Sequence, residues 1–499
     1  MKHILLFIGL VTTVGFSQNI NDALLFSSVN PQGSARFNAM SGAFGALGGD
    51  LSAINSNPAG SAVFKNSLLT GTLMYSGTNN DANYFGTQTN ATLSSISINQ
   101  LGGAFVLNNR KEDSHWKKLV FAINYQQMQD FNQEYFISGR SNISIDSYFL
   151  SYANGLAFQD IQALPGEYLE DAYLDIGSNY GYDYQQAFLG YYGGVIDPVD
   201  DTDPDNIMYI GTGDYATVNQ DYFYNSSGSN SKFNFNVATQ YKDVLYLGAA
   251  LNGHFIDVQR DSRIREREYG ASSALEYVVF DNYLYTTGSG FSLQLGAIGK
   301  LGKVVRLGAS FQSPTWYVIT DELSQRIDSN IADVDIGYIN ENQVNVFEDY
   351  NLRTPMKLST SAAFVFGKRG LLSVDYHYQD FNNIKMKPNN RYQDVNSNIE
   401  NNLVGTSSIH VGGEYRIAKW SLRAGYRFEE SPYKHKTIAD DLTGYSLGFG
   451  CNFGRVKLDM AYSGSNQDKT HQLYNSGLTT RAKIEERTSN LLVSLTFNF

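Results

Sequence analysis

Residues 119–126 read Leu-Val-Phe-Ala-Ile-Asn-Tyr-Gln. Leu119, Phe121, Ile123 and Tyr125 take one set of alternating positions, and Val120, Ala122, Asn124 and Gln126 the other. Period two is the signature of a strand with two different faces. It first appears at Leu69, Gly71, Leu73 and Tyr75, and returns at Phe233, Phe235, Val237 and Tyr241. Later strands carry it at Trp420, Leu422, Ala424, Tyr426 and Phe428, and the last at Leu491, Val493, Leu495, Phe497 and Phe499. Past the N-terminus no run approaches the roughly 18 apolar residues of a spanning helix. A chain that alternates almost throughout must become a large sheet.

What surrounds that sheet follows from composition. Charged residues are 17% and aromatic residues 14%, whereas soluble domains carry about 25% charged residues. Mean hydropathy is nevertheless −0.30. Few charges, many rings and a polar average fit strands with one face in lipid and the other in a polar lumen. Tight turns at 302–303, 367–370, 418–419 and 454–455 alternate with long polar connections at 259–285, 321–352, 383–404, 429–441 and 464–487. The expectation is an all-β fold, a transmembrane antiparallel β-barrel of about 14 strands with short turns at one end and long loops at the other. A soluble all-β protein is the rival. Aromatic strand ends and the terminal Phe499 favour the barrel, with Phe499 as the residue that outer-membrane assembly machinery reads.

Three regions depart from the strand rhythm. Residues 1–17 combine Lys2, an apolar run and small residues at Gly15 and Ser17, the pattern of a cleaved secretory signal. Residues 18–66 are rich in Gly, Ala and Ser, and form the candidate hatch ahead of a barrel at 67–499. Residues 138–230 are acidic and aromatic, with helices expected around 145–158 and 165–176; long connections of this kind are usually functional or disordered. The net charge of −12 excludes a nucleic-acid binder, which would carry a basic stripe. Cys451 is the sole cysteine, so no internal disulfide forms.

The hatch stretch contains Gly33-Ser34-Ala35-Arg36, Met40-Ser41-Gly42-Ala43-Phe44, Asp50, Ser52-Ala53 and Asn57-Pro58-Ala59-Gly60. In order and spacing it resembles the long-chain fatty acid transporter (FadL/TodX) family of outer-membrane proteins. Phe311-Gln312-Ser313-Pro314-Thr315, Gly413-Glu414-Tyr415-Arg416 and Leu422-Arg423-Ala424-Gly425-Tyr426 echo it downstream. The resemblance implies a monomeric fourteen-stranded barrel in the outer-membrane lipid, closed by an N-terminal hatch. It also implies passive uptake of hydrophobic small molecules, long-chain fatty acids or aromatic hydrocarbons, through a lateral opening. That opening requires a kink in an early strand. The third strand has no Gly or Pro across 119–125, so Gly102-Gly103 in the second is the nearest candidate.

Phe149, Tyr152, Leu156, Phe158, Tyr168 and Tyr173 are the candidate hydrophobic groove, against the alternative that they pack the loop onto the rim. In the hatch, Arg36 either meets a ligand carboxylate or pairs internally, most simply with Asp50. Phe44 and Asn57 to Gly60, with Ala59 between Pro58 and Gly60, are expected to shape the segment, since Asn57 can bond nearby backbone and Pro58 disfavours helix before it. The acidic stretch Asp197 to Asp205 is a solvated loop or a calcium site. His254, His377 and His410 lie in strands and would be the iron ligands of a hemin receptor. No catalytic, metal or cofactor pattern is identifiable. An adhesive or structural barrel and a lipid-acting enzyme are the competing classes.

Overall fold

The computed structural model describes residues 20–28, 30–111 and 113–499; the expected signal at 1–17 lies outside them. Fourteen antiparallel strands form one closed ring. The first half is β1 (Leu68–Tyr84), β2 (Thr87–Asn108), β3 (Trp116–Asp130, continued by Gln133–Ser141), β4 (Val218–Tyr241), β5 (Leu245–Arg267), β6 (Tyr277–Leu301) and β7 (Val305–Gln312, continued by Trp316–Ser329). The second half is β8 (Tyr350–Arg353, continued by Lys357–Phe366), β9 (Gly370–Asp380, continued by Lys385–Lys387), β10 (Gly405–Ile417), β11 (Trp420–Glu429), β12 (Leu442–Asn452), β13 (Val456–Gln472) and β14 (Arg481–Asn498). β1 pairs with β14 from Leu68↔Asn498 to Asn83↔Lys483, which closes the ring. Closure pairs the first strand with the last, so neither is left as an open edge in lipid, where unpaired peptide groups are costly.

Alternation sorts the two faces. On β14, Leu491, Val493, Leu495 and Phe497 are exposed outside, while Leu492 and Ser494 are buried inside. β5 and β6 are 23 and 25 residues long, against the 9–11 or so that a tilted strand needs to cross a bilayer. On β5 the outward row runs Leu247, Leu251, Phe255 and then Asp257, Gln259, Arg263 and Arg265. The sheet therefore projects beyond the apolar belt. Much of 259–285, expected as a connection, is strand, as are 464–472 and 481–487. Above the belt both faces are polar, so the period-two contrast disappears although the ladder continues.

The connection between β3 and β4 folds into a cap at the long-loop end. The first three helices, α1 (Ile20–Leu25), α2 (Ala35–Asn38) and α3 (Ala53–Ser56), precede the barrel; the cap holds α4 (Asp146–Ala153), α5 (Leu169–Tyr180) and α6 (Tyr182–Tyr192). α7 (Gln393–Asn402) lies between β9 and β10. α5 buries Leu169, Ala172, Tyr173 and Ile176 at helical spacing. It begins at Leu169, after Pro165, and runs to Tyr180. Gly181 at φ +99° then lets α6 leave in a new direction. The sequence did not announce α6, whose glycine-flanked Tyr-rich stretch has weak propensity. Packing holds it: a Cβ on Gly190 would sit 2.7 Å from Phe149 Cβ. Glu266 on β5 moors the cap, accepting from Ser144 Oγ at 2.6 Å, Ile145 N at 2.8 Å, Gln220 Nε2 at 2.6 Å and Tyr269 Oη at 2.7 Å.

The 33–63 segment lies inside the ring and bonds to strands on all sides. Ala35 N donates to Ser494 Oγ at 2.6 Å, and Gly45 N to Asp375 Oδ2 at 2.7 Å. Ser52 Oγ donates to Gln100 Oε1 at 3.0 Å, and Ser61 Oγ to Asn236 Oδ1 at 2.5 Å. Its backbone comes so close that the wall must lack side chains there. A Cβ on Gly412 of β10 would lie 2.6 Å from Met40 O; on Gly425 of β11, 2.6 Å from Met40 C; on Gly296 of β6, 2.0 Å from Asn57 Oδ1.

Gly412→Val should displace the segment while the barrel still forms, raising ion conductance in planar bilayers several-fold. Gly299→Val, where a Cβ meets nothing within 4 Å, should leave conductance unchanged. Equal conductance of the two variants would show that the segment does not obstruct the lumen.

Candidate functional site

Within the upper lumen lies a cavity of about 600 Å³, in the size range of small-molecule pockets. Leu24 and Leu25 of α1, Phe131, Tyr224, Phe381 and Tyr433 contribute its apolar lining. α1 stands in an apolar cluster with Phe131, Ile256, Tyr317, Tyr350 and Leu403. Asp22 of α1 forms an ion pair with Arg260, and Phe26 packs edge-on against Phe131 at 5.9 Å.

The deeper lining is polar and cationic: Asn55, Ser56, Lys232, Gln312, Lys357, His377 and His410. Lys232 on β4 is completely buried, and no acceptor lies within hydrogen-bond reach of its Nζ among the described residues. Its inward direction follows from the parity of β4, whose outward row is Phe233, Phe235 and Val237. That parity was readable in the sequence, and Lys232 is the residue the sequence reading missed. Lys357, Arg260 and Phe131 were missed too, because distant strands bring them together.

The wall is interrupted beside this cavity. β2 and β3 pair from Asn108↔Lys118 only as far as Gln100↔Gln126. Beyond that, β3 shifts register against β4 between Gln127 and Gln129 and breaks between Asp130 and Gln133. The facing half of β2, from Thr87 to Asn99, has a ladder only with β1. Side chains bridge the seam: Ser97 Oγ donates to Gln127 Oε1 at 2.8 Å and Ser95 Oγ to Asp130 Oδ2 at 3.3 Å. Met128, Gln129, Asp130, Phe131 and Gln133 line the cavity, so it reaches the break. Gly102 and Gly103 stay in regular pairing with Asn124 and Ile123; the expected kink at these glycines is replaced by a break in β3. The irregularity needs neither Gly nor Pro, because Asn132 N bonds Asp130 Oδ1 at 3.0 Å in a side-chain-closed turn.

Of the groove candidates, Phe149, Phe158 and Tyr173 are buried in the cap interior with Ile145, Phe188 and Phe280. Tyr152 and Leu156 are partly buried against that cluster, and Tyr168 stands 72% exposed beyond it. The six thus do not form one continuous surface. Burial pushes the Asp146 carboxyl above its ordinary range, although Tyr215 Oη donates to both oxygens at 3.0 Å.

In the hatch, Arg36 pairs with Glu414 through Nε at 2.9 Å and donates from Nη1 to Gly49 O at 3.1 Å. The sequence made Asp50 the simplest partner, but Asp50 accepts from Ser34 Oγ at 2.8 Å and Ser52 N at 3.0 Å. Glu414 also takes Arg416 Nε and Arg423 Nε, each at 2.6 Å, and Arg423 reaches Asp459 at 2.7 Å. A planar guanidinium suits such shared carboxylates. Phe44 is buried under the Arg36 guanidinium, 5.1 Å from its ring centroid. Asn57 Oδ1 accepts from Ala59 N at 3.1 Å while Nδ2 donates to Gly45 O at 2.8 Å and Ala297 O at 3.0 Å. Pro58 O accepts from Asn236 Nδ2 at 2.9 Å, and Gly60 O from Gly49 N at 3.0 Å.

Asp200 and Asp203 accept from Thr202 and Asp205 in local turns. Rings of His377 and His410 meet at 4.9 Å. No three His, Cys, Asp or Glu side chains converge on a metal-binding geometry among the described residues.

Comparison with known proteins agrees with this architecture. The model of the outer membrane protein transport protein family (OMPP1/FadL/TodX) matches residues 231–499. Among curated proteins none matches. The crystal structure of a Pseudomonas aeruginosa FadL homologue superposes with a TM-score of 0.56 at 13% identity, covering 94% of this chain and 99% of that one. The Pseudomonas putida toluene transporter TodX gives 0.53 at 13% identity, with 94% and 99% covered. These likenesses establish the shared fold, a closed outer-membrane barrel. With more than half of its length matched by the family model, this chain belongs to the OMPP1/FadL/TodX family of outer-membrane transport proteins.

Proposed function

We propose that this protein is a passive channel for hydrophobic small molecules, and that its preferred ligand is a long-chain carboxylate rather than an uncharged aromatic hydrocarbon. The carrying observation is Lys232, whose fully buried Nζ has no acceptor among the described residues, on the wall of a cavity that also holds Lys357. An unpaired buried charge costs several kcal/mol or so. A carboxylate head on Lys232 offsets that cost, while its chain lies among Phe131, Tyr224, Phe381 and Tyr433. A hydrocarbon leaves the ammonium unpaired.

The route has three stages. Exposed apolar residues on the cap, Leu164, Tyr168, Ile207 and Met208, make first contact. Tyr152 and Leu156 lead inward from them, and Phe149, Phe158 and Tyr173 hold the cap in shape. The ligand then occupies the cavity and leaves sideways through the seam between β2 and β3, bypassing the hatch. Arg36, Phe44, Asp50 and Asn57 to Gly60 fix that hatch in the lumen and do not touch ligand. The route contains no bond-making step and so no enzyme activity. The barrel works as a monomer, since β1 and β14 close the ring within one chain, and Phe499 serves its assembly.

Lys232→Met in purified protein should weaken binding of a long-chain fatty acid by about 10- to 100-fold, the range of a lost charged hydrogen bond. Toluene binding should stay constant or improve. Unchanged fatty acid affinity would overturn the carboxylate assignment.

Tyr168→Asp with Leu164→Asp should slow fatty acid uptake into cells while leaving equilibrium binding by the purified protein unaltered. Normal uptake kinetics would remove the cap from the route.

A further inference from the structure

We propose that the periplasmic rim is a cationic collar that binds the headgroups of anionic phospholipids in the inner leaflet of the outer membrane. The ring has six turns at its short-turn end, which is the periplasmic end of such barrels. Each carries an exposed Lys or Arg. Lys242, Lys303, Lys368, Arg369, Lys419 and Arg455 occupy five of them, and the turn between β2 and β3 adds further basic residues. None of these six side chains forms an ion pair among the described residues. The whole chain is at −12, so the collar is not a sample of the general surface. At the other end, the long β3–β4 connection, residues 142–217, has no Lys or Arg amid many Asp and Glu.

Geometry favours lipid over a soluble acidic partner. The turns are short, so they hold their charges within a residue or two of the outward aromatic row. Lys242 Nζ lies 5.5 Å over the Tyr241 ring. Lys419 Nζ lies 5.2 Å over Trp420 and 5.7 Å over Phe453. Rings of this kind sit at headgroup level, and a lysine above them carries its ammonium to the phosphate plane. The cations also recur around the whole ring, because every second connection supplies one. A docked protein covers one sector, whereas an annulus of lipid touches all of them. Basic residues beside an anionic leaflet gain from its surface potential, and the gain is screened by salt.

Trp116 and Trp420 stand at this rim, and Trp316 lies on β7 away from it. In a Trp316→Phe background, tryptophan fluorescence therefore reports the collar. The protein is reconstituted in phosphatidylcholine vesicles containing either brominated phosphatidylcholine or brominated phosphatidylglycerol, and quenching is compared at equal mole fraction. The brominated anionic lipid should be preferred, by up to roughly fivefold per headgroup site, and 0.5 M or so of added salt should reduce that preference. Changing all six residues to Gln, together with Arg110 and Lys111 of the β2–β3 turn, should abolish it, with folding confirmed by the heat-dependent shift in electrophoretic mobility. Equal quenching by the two lipids, or a preference that survives the Gln substitutions, would overturn the proposal. Equal quenching together with retention of an acidic periplasmic protein would assign the collar to protein docking instead.

Discussion

Lipid offers no hydrogen bonds to a peptide group, and the rest of this structure follows from that. Every N–H and C=O in the wall must find its partner on a neighbouring strand, so the sheet closes on itself from β1 to β14. A closed ring of fourteen strands encloses more space than its own side chains fill. The chain meets that problem with its N-terminal segment, which runs up the lumen before the first strand begins. Small inward residues on the wall and small residues in the hatch are two halves of one packing solution. Gly412 and Gly425 receive Met40, and Gly296 receives Asn57.

Charge inside the lumen is handled in two contrasting ways. Around the hatch, Arg36, Arg416 and Arg423 share Glu414, and Asp459 completes the set. These groups satisfy one another and fix the hatch against β10, β11 and β13. Higher up, Lys232 faces the cavity with no acceptor among the described residues. One cluster is finished within the chain; the other is not completed by any side chain among the described residues. The same contrast appears in the backbone, where regular pairing of β2 with β3 ends at Gln100↔Gln126 and side chains alone span the seam beyond it. A wall that must be continuous in lipid is thus interrupted beside the cavity.

The cap shows why aromatic content is a poor guide to a binding surface. Phe149, Phe158 and Tyr173 look like groove residues in sequence, yet they form the interior that lets a long connection fold. Tyr168 has the same chemistry and lies outside. Whether a ring holds the cap together or faces a visitor depends on how α4, α5 and α6 stack.

The sequence by itself determined the barrel, its approximate strand number, the turn asymmetry and the small-residue segment ahead of the first strand. Those properties are written in local pattern: period two, small-residue content and turn chemistry act over a few residues. It also contained the inward parity of Lys232. Only the tertiary structure decided that Arg36 meets Glu414, 378 positions away, that β3 breaks at Phe131 and Asn132, and that Lys232 shares its cavity with Lys357 and His377. Strand register and curvature around a closed ring set these distances, and both depend on all fourteen strands at once. Local sequence carries which face a residue is on; which distant residue it faces is a property of the closed barrel.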